Sequence, residues 1–136
     1  MTEDELLQQP PEAYMNDQQQ AYFRSLLHAQ RQALQARISE EFEQLKHHEL
    51  NSDPADIGSA EEQRLWQLRL LEREKKLLDK IDEALERLAK GAYGWCDETG
   101  EPIGLRRLLL RPTASLSVEA KERQERKERH LREGQG

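Results

Sequence analysis

From Asn16 onward the apolar positions Phe23, Leu27, Leu34, Ile38, Phe42 and Leu45 recur at intervals of three, four or seven residues, which is the spacing of one face of an α-helix. Asn16 followed three residues later by Gln19 is a capping-box-like start, so a helix is predicted over 17–50. It stops at Asn51-Ser52-Asp53-Pro54, where turn formers precede a proline that pushes Asp53 out of the helical region. Ser59 and Glu62 form a second capping pattern. Beyond them Leu65, Leu68, Leu71, Leu78, Ile81, Leu85 and Leu88 predict a helix over 60–90, with Gly91 as its C′ residue. Residues 1–15, which include Gln8-Gln9-Pro10-Pro11, show no period and read as a flexible lead-in.

Two helices of this length, joined by a turn at 51–59, must bury their stripes, and each has the other as its nearest partner. A mainly α protein follows, built on an antiparallel coiled-coil hairpin over 16–91 that would extend roughly 45–50 Å. Glu74 occupies a seam position that an apolar residue would suit better. Over 92–120 Tyr93, Gly94, Trp95, Cys96, Gly100, Pro102 and Gly104 break the helical period and predict a small globular head. Ser117 then caps a polar helix over 118–133, and residues 121–136 form a C-terminal helix and tail.

Composition narrows the function. The 136 residues are 35% hydrophobic, 35% charged and only 5% aromatic, and the mean hydropathy is -1.01. That is poor material for a barrel, a sandwich or a doubly wound enzyme. No run approaches the ~20 apolar residues of a bilayer span, and a net charge of -6 argues against nucleic-acid binding through bulk electrostatics. A soluble, cytoplasmic, monomeric protein is expected. There is no phosphate loop and no nucleophile elbow, so no catalytic residue is assigned and the chain is not read as an enzyme. His47 and His48 are adjacent and diverge by about 100° on a helix, which suits solvated side chains better than metal ligands.

One spacing carries chemistry. Cys96-x2-Thr99, seventeen residues, then Ser117-x2-Ala120 has the form of a two-knuckle zinc site in which three ligand positions no longer hold thiols. Tetrahedral structural zinc needs four nitrogen, sulfur or oxygen donors; alanine offers none, and neutral hydroxyls are poor ones. No bound zinc is expected.

The stretches Gly94-Trp-Cys-Asp-Glu-Thr-Gly100, Ile103-Gly104-Leu-Arg106-Arg107-Leu108 and Arg111-Pro-Thr-Ala114-Ser-Leu116 resemble the zinc-finger region of the DksA/TraR family. Asp53-Pro-Ala-Asp56-Ile-Gly58 resembles the Asp-x-x-Asp-x-Ala motif at the coiled-coil tip of DksA proteins. The resemblance implies a regulator that binds RNA polymerase, inserts its coiled coil into the secondary channel and acts with the alarmone ppGpp. By the same resemblance Asp53 and Asp56 are tip carboxylates working near the polymerase active centre, and Gly58 replaces the family's usual alanine. Arg73 would contact polymerase, while Leu77, Lys80, Arg111 and Lys121 match positions that bind ppGpp. Cys96, Thr99, Ser117 and Ala120 stand where the usual family member has four thiolates around zinc, tying the knuckles together.

Two other readings compete: a coiled-coil adaptor or dimerisation module, and a factor that promotes transcript cleavage through acidic tip residues. The tip motif and the head favour the regulator. Without zinc, Trp95, Ile103, Leu108, Leu109, Leu110 and Leu116 are expected to supply the packing of the head, with Thr99 and Ser117 hydrogen-bonding locally.

Overall fold

A computed structural model of the chain describes the backbone of residues 1–50 and 57–134, and the side-chain surroundings of 1–47 and 59–134. The elements are α1 (Glu3–Gln8), a 3-10 turn (Pro11–Ala13), α2 (Asp17–Leu50), α3 (Ile57–Lys90), α4 (Leu105–Leu110) and α5 (Val118–Gly134). Two compact units emerge: a hairpin unit of residues 26–82 and a head unit of residues 1–25 with 83–136.

Within the hairpin unit α2 and α3 pack as a hairpin, with Leu27, Leu34, Leu45, Leu71 and Ile81 buried. Arg31 Nε donates to Asp82 Oδ1 at 2.6 Å across the helices, beside the seam. The inward line of α3 runs through Gln67, Leu71, Glu74, Leu78, Ile81, Leu85 and Leu88, alternating steps of four and three. The predicted line ran through Leu65 and Leu68 instead, and both are exposed. On α2, Phe42 is exposed and Glu41 takes the inward position. A strict heptad from the well-packed part of the helix dictates this: seven residues before Leu78 is Leu71, as expected, but seven before Glu74 is Gln67, and the phase passes by Leu65 and Leu68. Phe42 is left beside Lys46, whose ammonium lies 5.0 Å from the ring centroid.

Glu41 and Glu74 thus meet across the seam. One Oε of each, and Oε1 of Gln67, are buried without a hydrogen-bond partner. Burial, then the hydrogen bond to Glu74 and its charge, push the Glu41 carboxyl up to about 7; Arg37 opposes this and Glu40 adds to it.

The segment read as a flexible lead-in contains ordered secondary structure. Thr2 and Glu5 close a reciprocal capping box on α1, and Leu6 is fully buried. The glutamines, which resemble a low-complexity tract, form a hydrogen-bond network. Gln19 accepts from Met15 N at 2.8 Å and donates to Gln9 Oε1 at 2.8 Å, while Asn16 Oδ1 accepts from Gln19 N at 2.9 Å and so caps α2. Two adjacent leucines, Leu6 and Leu7, have no period to detect, which is why α1 escapes a search for amphipathic spacing.

The Glu41 carboxyl generates a pH prediction. Its folded-state pKa lies above the ordinary carboxylate value, so the folded state holds the extra proton and the group's contribution to stability falls as pH rises from about 4.5 to about 7. Glu41→Gln should therefore raise the melting temperature by a few degrees at pH 8 and leave it nearly unchanged at pH 5. Equal effects at both pH values, followed by circular dichroism, would contradict this account of the pair.

Candidate functional site

The last turns of α3 already belong to the head unit. Gly91, at a φ of +75°, sits at C′ of a Schellman motif: its N–H bonds Leu88 O, and Ala92 N–H bonds Arg87 O at 2.8 Å. This end matches the expectation. The chain then turns at Gly94, where a Cβ would stand 2.8 Å from Met15 Cγ, so only glycine fits. Trp95 and Pro102 form an isolated antiparallel bridge, flanked by Cys96 N to Glu101 O at 2.7 Å and Ile103 N to Gly94 O at 2.8 Å. The Tyr14 hydroxyl donates to Gly94 O at 2.5 Å and accepts from Gly104 N at 3.0 Å, pinning both ends of this first loop.

The second loop, 111–117, is held by side chains that no periodicity singles out. Tyr93 donates to Pro112 O at 2.8 Å, Arg87 to Thr113 O at 3.2 Å and Arg107 to Leu116 O at 3.0 Å. Arg107 is thus a structural half of the Arg106-Arg107 pair, and Arg106 is exposed. Asp97 N donates directly to Ser115 O at 2.9 Å, joining the two loops.

Cys96, Thr99, Ser117 and Ala120 mark the two ends of this junction. The Cys96 sulfur is buried. Burial alone would raise its pKa, but the Thr99 hydroxyl, with the backbone N–H groups of Ser117, Thr99 and Glu98, favours the thiolate more strongly and holds the group at about 6. The Ser117 hydroxyl accepts from Ala120 N at 3.2 Å and caps α5, as expected. Among the described residues no three His, Cys, Asp or Glu side chains converge as a metal site. One thiol, two hydroxyls and a methyl group do not fit zinc.

The expected packing of the head is partly corrected. Ile103 and Leu108 are buried, but Leu110 is 85% exposed and Trp95 is at the surface, its ring 5.2 Å from Tyr14 in a T-shaped contact. Leu110 ends the six-residue α4, and a helix this short offers one buried face, taken by Leu108. The core instead draws on Tyr93, Phe23, Leu6 and Met15, with the Phe23 and Tyr93 rings 5.5 Å apart.

The remaining candidates divide between the units. Arg73, Leu77 and Lys80 lie on the exposed side of α3 in the hairpin unit. Arg111 and Lys121 are exposed in the head unit, where Lys121 Nζ donates to Gln124 Oε1 at 3.4 Å. Asp53 and Asp56 lie outside the described residues; Gly58 falls in the first turn of α3.

The nest around Cys96 predicts an ionised thiol at neutral pH. A titration followed by thiolate absorbance near 240 nm should have its midpoint near pH 6, and Cys96→Ser should abolish it. Since the folded-state pKa is depressed, the thiolate's contribution to stability is full above the unfolded value of about 9 and is lost as pH falls through about 6. A midpoint at pH 8.5 or above would contradict the nest.

Two family models match the chain: the N-terminal domain of the DnaK suppressor protein DksA over residues 19–88, and the prokaryotic dksA/traR C4-type zinc finger over residues 91–126. Among curated relatives, the RNA polymerase-binding transcription factor DksA of Caulobacter vibrioides is 49% identical over 87% of this chain and 84% of its own length. Its namesake from Escherichia coli is 35% identical over 91% and 83%. The solved structure of transcription factor DksA2 from Pseudomonas aeruginosa superposes with a TM-score of 0.89 at 72% identity, covering 95% of this chain and 100% of that one. With hairpin and head matched together, and with the head folded around the one cysteine that remains of the four-ligand pattern, the chain belongs to the DksA/TraR family.

Proposed function

We propose that the chain regulates transcription initiation by binding RNA polymerase through the secondary channel, together with ppGpp and without structural zinc. The observation that carries this reading is the reach of the likeness: relatives named RNA polymerase-binding transcription factors align over both the hairpin and the head, at up to 49% identity over 87% of the chain. An adaptor would need only the helices. The chemistry would belong to polymerase, with Asp53 and Asp56 acting beside its active centre.

The alarmone would be gripped by cations. Lys80, Arg111 and Lys121 supply charge-assisted donors for phosphate oxygens, and Leu77 supplies an apolar contact. Among the described residues none of these three cations has a carboxylate partner. Arg73, exposed on α3, would contact polymerase directly. Zinc independence is supported by the donor set at Cys96, Thr99, Ser117 and Ala120, where the hydroxyls already serve protein N–H groups: Thr99 accepts from Glu101 N and Ser117 from Ala120 N. The protein is read as cytoplasmic, where polymerase resides. Gly58 in place of alanine costs the first turn of α3 up to roughly 1 kcal/mol of helix propensity.

The reading is tested by separating binding from effect. Asp53→Asn and Asp56→Asn keep shape and hydrogen bonding but remove charge. Each should bind polymerase about as well as the parent while losing most of its effect on initiation in a purified transcription assay. Lys80→Ala, Arg111→Ala and Lys121→Ala should each reduce the synergy with ppGpp by about tenfold, the scale of one lost charge-assisted bond, with a smaller loss of ppGpp-free activity. Tip variants that regulate normally, or equal losses with and without ppGpp, would overturn these assignments.

A further inference from the structure

On α3, Trp66, Arg73 and Lys80 follow one another at intervals of seven residues. Seven residues turn a helix through 700°, 20° short of two full turns, so the three side chains stand in one line about 10.5 Å apart. Arg69 lies 60° to one side of Trp66, and Leu77 lies 40° to the other side of Arg73. All five are exposed, Trp66 at 63% and Leu77 at 45%.

Two features of this stripe are unusual for a solvated helix face. Its cations are unpaired: among the described residues Arg69, Arg73 and Lys80 make no ion pair, whereas neighbouring Lys76 pairs with Glu72 at 3.6 Å and Arg31 with Asp82. Its largest apolar member is an indole left in water next to a seam that turns Gln67 and Glu74 inward. The heptad forbids Trp66 the seam, because the inward position belongs to its neighbour Gln67. Tryptophan and arginine are the residues that most often anchor protein interfaces, since an indole covers a large area at low entropic cost and keeps one N–H donor.

We infer that Trp66, flanked by Arg69, is an apolar anchor that extends the polymerase contact proposed for Arg73 along α3 towards Ile57. This rests on the reading that the chain binds RNA polymerase. The partner surface it fits is acidic, with an apolar recess for the indole ring. A second copy of the chain fits less well, because a two-fold contact would press together two stripes that each carry Arg69, Arg73 and Lys80 and no carboxylate.

The full-length chain should be titrated against RNA polymerase as the parent, Trp66→Ala, Trp66→Phe, Arg69→Ala and Lys75→Ala; nine residues from Trp66, Lys75 points 180° away. Trp66→Ala should weaken binding at least tenfold, Trp66→Phe should recover most of it, and Arg69→Ala should cost several-fold. Lys75→Ala should bind as the parent, and melting temperatures should all agree because the indole is in water. A photo-crosslinking residue at 66, but not at 75, should capture polymerase. Parent binding with no loss in Trp66→Ala overturns the anchor alone; a parent that does not bind polymerase overturns both the anchor and the reading beneath it. Dimerisation of the parent that Trp66→Ala abolishes, seen in sedimentation equilibrium, would assign the stripe to a second copy instead.

Discussion

The head unit depends on a junction between two loops whose four finger positions hold Cys96, Thr99, Ser117 and Ala120. In a four-thiolate finger one ion fixes four chain positions at once and contributes folding energy outright. Here the Cys96 sulfur gathers a hydroxyl and backbone N–H groups from both sides of the junction, and Asp97 N reaches Ser115 O directly. Arg87, Tyr93 and Arg107 then each grip a carbonyl of the second loop. These distributed hydrogen bonds hold the junction between the loops. The same junction sets where α5 starts, because Ser117, at one of the four finger positions, caps that helix.

Tyr14 shows how far this hydrogen bonding extends. It comes from the N-terminal segment, yet its hydroxyl joins Gly94 to Gly104 across the first loop. Met15 packs against Gly94 at a distance that leaves no room for a Cβ, and Leu6 is sealed in the same unit. Protein contacts therefore brace the first loop from outside the finger.

Periodicity made the long helices legible. The bounds of α2 matched the expected 17–50, and α3 ended at Lys90 with Gly91 at C′ as expected, because each helix carries a long apolar repeat and distinct end signals. Its start came three residues earlier, at Ile57, since a weak cap at Ser59 does not stop a helix from growing backwards. The seam itself was misread at Phe42, Leu65 and Leu68. Hydrophobic identity pointed to them, whereas the heptad phase, fixed by Leu34, Ile38, Leu78 and Ile81, put Glu41, Gln67 and Glu74 inside. In the head, the ligand spacing located Cys96, Thr99, Ser117 and Ala120. The structural roles of Arg87, Arg107 and Tyr14 arise only from tertiary contacts with backbone carbonyls, and Arg-Arg-Leu was visible as a motif without a role.

The central claim is that this family member folds its head through protein hydrogen bonds around a single thiolate. Its most direct test pairs elemental analysis of the purified chain with thermal melts, with and without a strong chelator. The account predicts less than a tenth of an equivalent of zinc and superimposable melts. One zinc per chain, or a melting temperature lowered by the chelator, would contradict it.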